Sequence, residues 1–209
     1  EHFDCHPDSE VAFEVVEGVA LVELLRLARQ KEIDLVLVGK TAGDKGDSIL
    51  PQQLARKAPC SVLAIPEGAE PRITKVLVPV DFSEHSADAS DVAIAFASAS
   101  TLPDILYLHV YGVPVGYHKS GNTYEEFAEI LRQGTEKMYR HFLSGFDLKG
   151  LSISPLSKLA RNPARAIRDI VVEQCVDLLV VGARGRTIAA AVLLGSVTER
   201  LLSSTDVPL

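Results

Sequence analysis

Cysteine is scarce: Cys5, Cys60 and Cys175 are scattered through 209 residues. A small, odd and widely spaced set does not build a disulfide framework, and it fits buried free thiols in a reducing compartment. No apolar run approaches the roughly 20 residues of a membrane-spanning helix. Positive charge is also in deficit, with 21 Lys and Arg against 28 Asp and Glu and a formal net charge of −7. That balance argues against general binding to nucleic acid or to an anionic membrane, while one local basic pocket could still hold a phosphate. The opening Glu-His-Phe-Asp-Cys-His lacks the basic flank and apolar core of a secretory signal, so a cytoplasmic protein is expected. His2, Asp4, Cys5 and His6 form the one cluster resembling metal ligands, but no second cluster at zinc spacing completes it. No P-loop, dinucleotide fingerprint, nucleophile elbow or HExxH motif is present.

Against these absences stand 47% hydrophobic and 23% charged residues, enough for a sizeable core in one large domain or two small ones. Short apolar runs alternate with amphipathic stretches along the whole chain, which predicts an α/β protein with a parallel, doubly wound sheet. Strands are expected at Ala12–Val16, Ile33–Gly39 and Ser61–Ile65, with helices from Leu21 and around Leu50–Lys57. Pro66–Pro71 reads as a linker. The pattern then restarts: a strand from Lys75, a helix over about Ser86–Ser100, a strand at Asp104–Val110 and a mobile loop over Tyr111–Tyr124. A long helix over about Glu125–Ser144 follows, then a strand near Ile153–Lys158, a helix over about Pro163–Gln174 and a strand at Leu178–Val181.

The two stretches are copies of one unit. Asp34-Leu35-Val36-Leu37-Val38-Gly39 overlays Asp177-Leu178-Leu179-Val180-Val181-Gly182 at an offset of 143, and Phe13–Val16 overlays Leu156–Leu159. The first copy begins about halfway into the unit, so a piece of a longer tandem protein is expected.

The chemistry concentrates in the second copy. After Leu178–Val181 come Gly182 and Gly185, then, after nine residues, Gly195 and Ser196 opening a helix. Glycines let the backbone approach a phosphate, and the first N–H groups of a helix point at it. Ser196 and Thr198 add hydroxyls, and Ser196 is the expected N-cap. In the first copy Lys40-Thr41-Ala42 follow Gly39, and Ser48-Ile49-Leu50-Pro51 stand where Gly195–Thr198 would fall. The second glycine is lost, and Pro51 removes an N–H donor.

The Gly-x2-Gly-x9-Gly-Ser spacing resembles the ATP-binding signature of the universal stress protein family, and Pro79-Val80-Asp81-Phe82-Ser83 resembles its first strand and acidic turn. Leu108-His109-Val110 resembles the end of its second strand. The resemblance implies five-stranded parallel sheets of order 3-2-1-4-5 in two repeats. Residues 1–66 would be the back part of a degenerate repeat, 67–72 a linker and 73–209 a nucleotide-binding repeat. It implies ATP or AMP as ligand, with Pro79, Val80, Asp81 and Ser83 at the ribose or adenine side and Val110 holding the adenine edge. Val181, Gly182, Arg184 and Gly185 would line the ribose and first phosphate. Gly195, Ser196, Val197 and Thr198 would cradle the outer phosphates, with any Mg²⁺ held mainly by the phosphates.

Two departures from the family pattern are Val80, in place of a small polar residue, and Arg161, in place of a glycine. The implied role is a cytoplasmic stress-response sensor or regulator whose repeats pack as an intramolecular pseudo-dimer, with a homodimer as a further option. A slow ATPase or nucleotidyl-transfer enzyme, and a non-binding dimerisation scaffold, are the alternatives. His109 is expected to pack at its strand end rather than act as a base, and Cys60 and Cys175 to lie in the core. Arg184 and Arg186 stand between phosphate contact and solvated loop charge.

Overall fold

Leucine and β-branched runs form the strands of this chain, and the stretches between them, apolar every three to four residues, form helices that cover the sheet. A computed structural model describes residues 10–41, 49–70, 72–99, 104–185 and 194–209. The first part contains α1 (Ala20–Gln30), β1 (Leu35–Lys40), α2 (Ile49–Lys57) and β2 (Ser61–Pro66). The second contains β3 (Lys75–Pro79), α3 (Glu84–Ala99), β4 (Asp104–Tyr111), α4 (Tyr124–Leu143), β5 (Ser152–Leu159), α5 (Pro163–Glu173), β6 (Leu178–Leu179) and α6 (Ser196–Ser204).

All strand pairs are parallel. β1 pairs with β2, and a second sheet runs β5-β4-β3-β6. Successive side chains of β3 point to opposite faces. Val76 and Val78, fully buried, meet Ala89, Ala93 and Tyr139 on the side of α3 and α4. Leu77 meets Ile167, Ile170 and Leu201 on the side of α5 and α6. Each such aliphatic side chain contributes about 1.5–3 kcal/mol by leaving water. The alanines of α3 let that helix lie close against the strands.

The ends of elements are fixed by identifiable polar contacts. Thr123 and Glu126 form a reciprocal capping box at α4, with N–H bonds of 3.2 and 2.8 Å. Asn162 caps α5 ahead of Pro163. At the entry to β6, Asp177 Oδ2 accepts from Thr74 N–H (2.8 Å), Thr74 Oγ1 (2.5 Å) and Lys75 N–H (2.9 Å). Burial works against that charge, but these donors and Arg72 outweigh it and hold the carboxyl below its ordinary value. The Tyr139 hydroxyl lies 2.7 Å from Leu156 O and 2.9 Å from Tyr107 O, its one hydrogen shared between the two carbonyls, and burial pushes its pKa well up.

The two parts meet along β2 and α6. Ala64 and Leu209 exchange both backbone bonds, at 2.7 and 3.0 Å. Lys40 Nζ donates to Thr205 O at 2.6 Å, placing a cation at the C-terminal end of α6. Burial lowers the pKa of Lys40, and Asp206 partly restores it. Arg56 pairs with Glu199, and Ala64, Leu194 and Leu202 share an apolar cluster with Val38 and Ala55.

Several expectations need correction. Residues 12–16 form no strand; among the described residues no sheet edge pairs with them, and Phe13 and Val15 are 84% and 100% exposed. Among the described residues the second sheet has four strands rather than five. The segment after Val207 touches β6 through Leu179 N–H on Pro208 O (2.9 Å) without becoming a strand. The stretch after Tyr111 contains a short 3₁₀ turn, Tyr117–Ser120, held by the Tyr117 ring against Tyr124 and Phe127. Cys60 is only half-buried and Cys175 is exposed, because Cys175 falls just past the C-terminal end of α5 at a positive φ of 50°. The His2–His6 cluster, Cys5, Arg186 and Ala42 lie outside the described residues.

Candidate functional site

The carboxyl ends of β3, β4 and β6 face one end of the sheet, together with the starts of α3 and α6. The turn after β3 is built on Asp81. Its Oδ1 accepts from Ser83 N–H (3.1 Å), Ser83 Oγ (2.6 Å) and Ser86 Oγ (2.7 Å), while its own N–H donates to Ser86 Oγ at 3.1 Å. Ser83 Oγ in turn accepts from Ser86 N–H at 3.3 Å, capping α3. Phe82, between them, takes a left-handed φ of 62°. Its ring lies 4.6 Å from His109 and 5.1 Å from Tyr139, contacts that offset the backbone strain.

Oδ1 is thus committed to the turn, and Oδ2 faces the loop after β6. A Cβ on Gly185 would lie 2.7 Å from Asp81 Oδ2, so a side chain there would have to displace that carboxylate oxygen. Gly182 is constrained from the other side, since a Cβ there would lie 2.6 Å from the His85 carbonyl oxygen at the start of α3. Gly195 N–H donates to Ala183 O at 2.8 Å, and Thr198 Oγ1 donates to Gly182 O at 2.9 Å. These bonds close the loop onto the first turn of α6.

Asp81, Ser83, Gly182, Gly185, Gly195 and Thr198 therefore form one connected set. Val110 lies at the end of β4 opposite Lys158, two residues beyond Leu108, whose carbonyl accepts from Val80 N–H at 2.9 Å. Pro79 ends β3 opposite Leu108, and Val80 is 4% exposed. The Val80 carbonyl bonds His109 Nδ1 at 2.7 Å, so Val80 is core on its side chain and engaged on its backbone. Val181 and Arg184 are half-buried, as is Val197, while Ser196 is exposed.

Two roles differ from expectation. The N-cap of α6 is Gly195, not Ser196, and it brings no side-chain acceptor to the first-turn N–H groups. Thr198 turns its hydroxyl inward to Gly182. Sequence reasoning missed Ser86 and the His85 carbonyl. The Asp-x-Ser-x-x-Ser spacing from Asp81 to Ser86 was the available signal for the first. Nothing in the sequence marks the second, because a main-chain contact carries no side-chain signature.

Two clefts border this region. One of about 480 Å³, between the two parts of the chain, takes in Val181, Gly182 and Thr198. The other, about 680 Å³, lies between α5 and α6 and takes in Ser196. Among the described residues, no group of three or more His, Cys, Asp or Glu is placed to hold a metal ion, and no helix is long and apolar enough to cross a membrane.

A model of the universal stress protein family matches residues 72–209. Among similar chains, Universal stress protein MJ0531 of Methanocaldococcus jannaschii is 27% identical over 136 residues, covering 64% of this chain and 78% of that one. The solved structure of protein MJ0577 matches with a TM-score of 0.52 at 27% identity, over 65% of this chain and 92% of the other. A universal stress protein from Archaeoglobus fulgidus reaches a TM-score of 0.61 over 90% of this chain and 64% of its own, at 17% identity, a likeness of fold alone.

Proposed function

Since the chain belongs to the universal stress protein family, we propose that residues 73–209 bind one adenine nucleotide, ATP or AMP, and that the protein acts as a cytoplasmic stress-response sensor or regulator. The carrying observation is the convergence of three segments distant in sequence. Gly185 lies against Asp81, Gly195 bonds Ala183, and Thr198 bonds Gly182, so the acidic turn, the glycine loop and the α6 N-terminus form one wall.

That wall suits the ligand chemically. Asp81 Oδ2 is an acceptor for ribose or adenine donors. The backbone at Gly182–Gly185 carries no bulk, and the first-turn N–H groups of α6, with no side-chain cap from Gly195, favour an anion. Ser196 adds an exposed hydroxyl, Arg184 a charge beside the loop, and Val110 the backbone at the edge of β4. Any Mg²⁺ would arrive on the phosphates, its remaining positions filled by water.

Residues 1–66 read as the degenerate partner repeat. They have lost the second glycine and carry Pro51 in the first turn of α2. The Ala64–Leu209 exchange, the Lys40–Thr205 bond and the Arg56–Glu199 pair support a pseudo-dimer built within the chain. The enzyme and scaffold alternatives gain less support: His109 is committed to Val80 and Phe82, and the glycine spacing of the second repeat is whole.

Calorimetric titration of the purified chain with ATP and with AMP tests the reading, with one site per chain expected. Two equivalent sites would place a pocket in the first part as well, and no heat with either nucleotide, after removal of any nucleotide carried through purification, would favour the scaffold.

A further inference from the structure

We infer that the cleft between α5 and α6, which meets the proposed nucleotide wall at Ser196, is a second anion site that takes a compact ligand carrying several phosphoryl groups. Arg165 and Arg168, three residues apart on α5, share one face of that helix. Arg200 and Ser203 follow Ser196 on one face of α6, and all five line the same cleft of about 680 Å³. Among the described residues none of these three guanidinium groups makes an ion pair, whereas Arg26, Arg56 and Arg132 are each paired. The acidic residue lining the cleft, Glu199, is engaged by Arg56 from the other part of the chain. A chain of net charge −7 thus gathers three uncompensated arginines around one opening.

The lining also indicates the class of ligand. Among the described residues it contains no aromatic side chain on which a base could stack, so a nucleoside gains little here. Arginine forks and serine hydroxyls are donors that match phosphate oxygens, and bidentate arginine contacts are among the stronger charge-assisted bonds. An acidic peptide offers less charge in the same volume. The phosphoryl anion is the better fit to three guanidinium groups in one cleft.

The probe is inorganic tripolyphosphate, titrated calorimetrically into the full chain at low and moderate salt. Binding that depends on the cleft arginines and weakens as salt rises is expected. Arg165→Gln with Arg168→Gln, and separately Arg200→Gln, should each lose about tenfold in affinity, consistent with loss of charge-assisted bonds in an open site. Arg200→Lys should fall between, since it keeps the charge without the fork. Circular dichroism and thermal unfolding of each variant, matching the parent, keep the comparison valid for these exposed positions. The Arg165→Gln, Arg168→Gln pair should leave AMP binding unchanged, so failure of the nucleotide reading and failure of this one are told apart. The proposal is overturned if the parent does not bind tripolyphosphate. It is overturned equally if binding survives the arginine variants and is lost in Gly195→Val, or if oligoglutamate binds as tightly with the same arginine dependence.

Discussion

Replacing Gly182 with alanine separates what the loop after β6 does for the fold from what it does for a ligand. The new Cβ would sit 2.6 Å from the His85 carbonyl oxygen and 2.9 Å from its carbon, where ordinary contact begins at 3.4 Å, leaving clearance short by about 0.8 Å. Neither side yields freely. The first turn of α3 is held by the Asp81–Ser83–Ser86 bonds, and behind it Ala89 and Ala93 are packed at 5% and 0% exposure. On the other side the Gly182 carbonyl is bonded by Thr198 at 2.9 Å.

Overpacking of this kind costs about 1–3 kcal/mol. In a chain of this size each kcal/mol moves Tm by roughly 2–4 °C, so thermal unfolding without nucleotide should show a drop of roughly 2–12 °C. Gly39, near the end of β1, is the control, because a Cβ there meets nothing within 4 Å. Gly39→Ala should leave Tm level or raise it slightly through reduced chain entropy in the unfolded state. A Gly182→Ala protein melting within about 1 °C of the parent would refute the packing argument.

Further outcomes follow from the same geometry. Asp81→Ala should weaken adenine-nucleotide binding by about 1–3 kcal/mol, the cost of a lost hydrogen bond to a charged group. Gly195→Val should abolish it, because side-chain bulk would fill the space proposed for a phosphate; unchanged calorimetric affinity in both would put the pocket elsewhere. The Asp177 carboxyl, held below its ordinary value of 3.8, contributes stability that is present above that value and lost as pH falls through the lowered one. Asp177→Asn should therefore be less stable at neutral pH and should show a shallower acid limb in urea midpoints from pH 6 to 3; parallel limbs would contradict this. ATP hydrolysis by the isolated protein should stay below the roughly 1–10³ per second of typical enzymes, and turnover in that range, abolished by Gly195→Val, would favour the enzyme reading.

The alternation of elements and the glycine spacing could be read from the chain because both are local and periodic. The helix expected from Leu21 is α1, and the run Ser61–Ile65 is β2 with one residue added. Residues 12–16 misled because an apolar run reports only that a strand would be stable if paired, and pairing is a property of the neighbours. The N-cap of α6 moved to Gly195 because the Ala183 carbonyl fixes where the helix begins, a contact with no local sequence trace. The site was legible as a set of segments but not as a set of bonds. That Thr198 turns to Gly182 and that Ser86 completes the Asp81 ring are facts of tertiary placement. The same holds for Cys175, whose position past the last turn of α5 exposes it despite an apolar surrounding sequence.

α6 is nine residues long, a rod of about 13 Å at 1.5 Å per residue. One end starts at the glycine loop. The other is pinned to the first part of the chain by Lys40 on Thr205, and just beyond by the Ala64–Leu209 clasp. A rod pinned at its far end answers a sideways push at its near end by pivoting, and a displacement of about 1 Å at Ser196 is a tilt of roughly 4° over that length. The anchors fall on β1 and β2, outside the family match at residues 72–209. Amide exchange at Ala64 is the gauge of how stiffly that far end is seated.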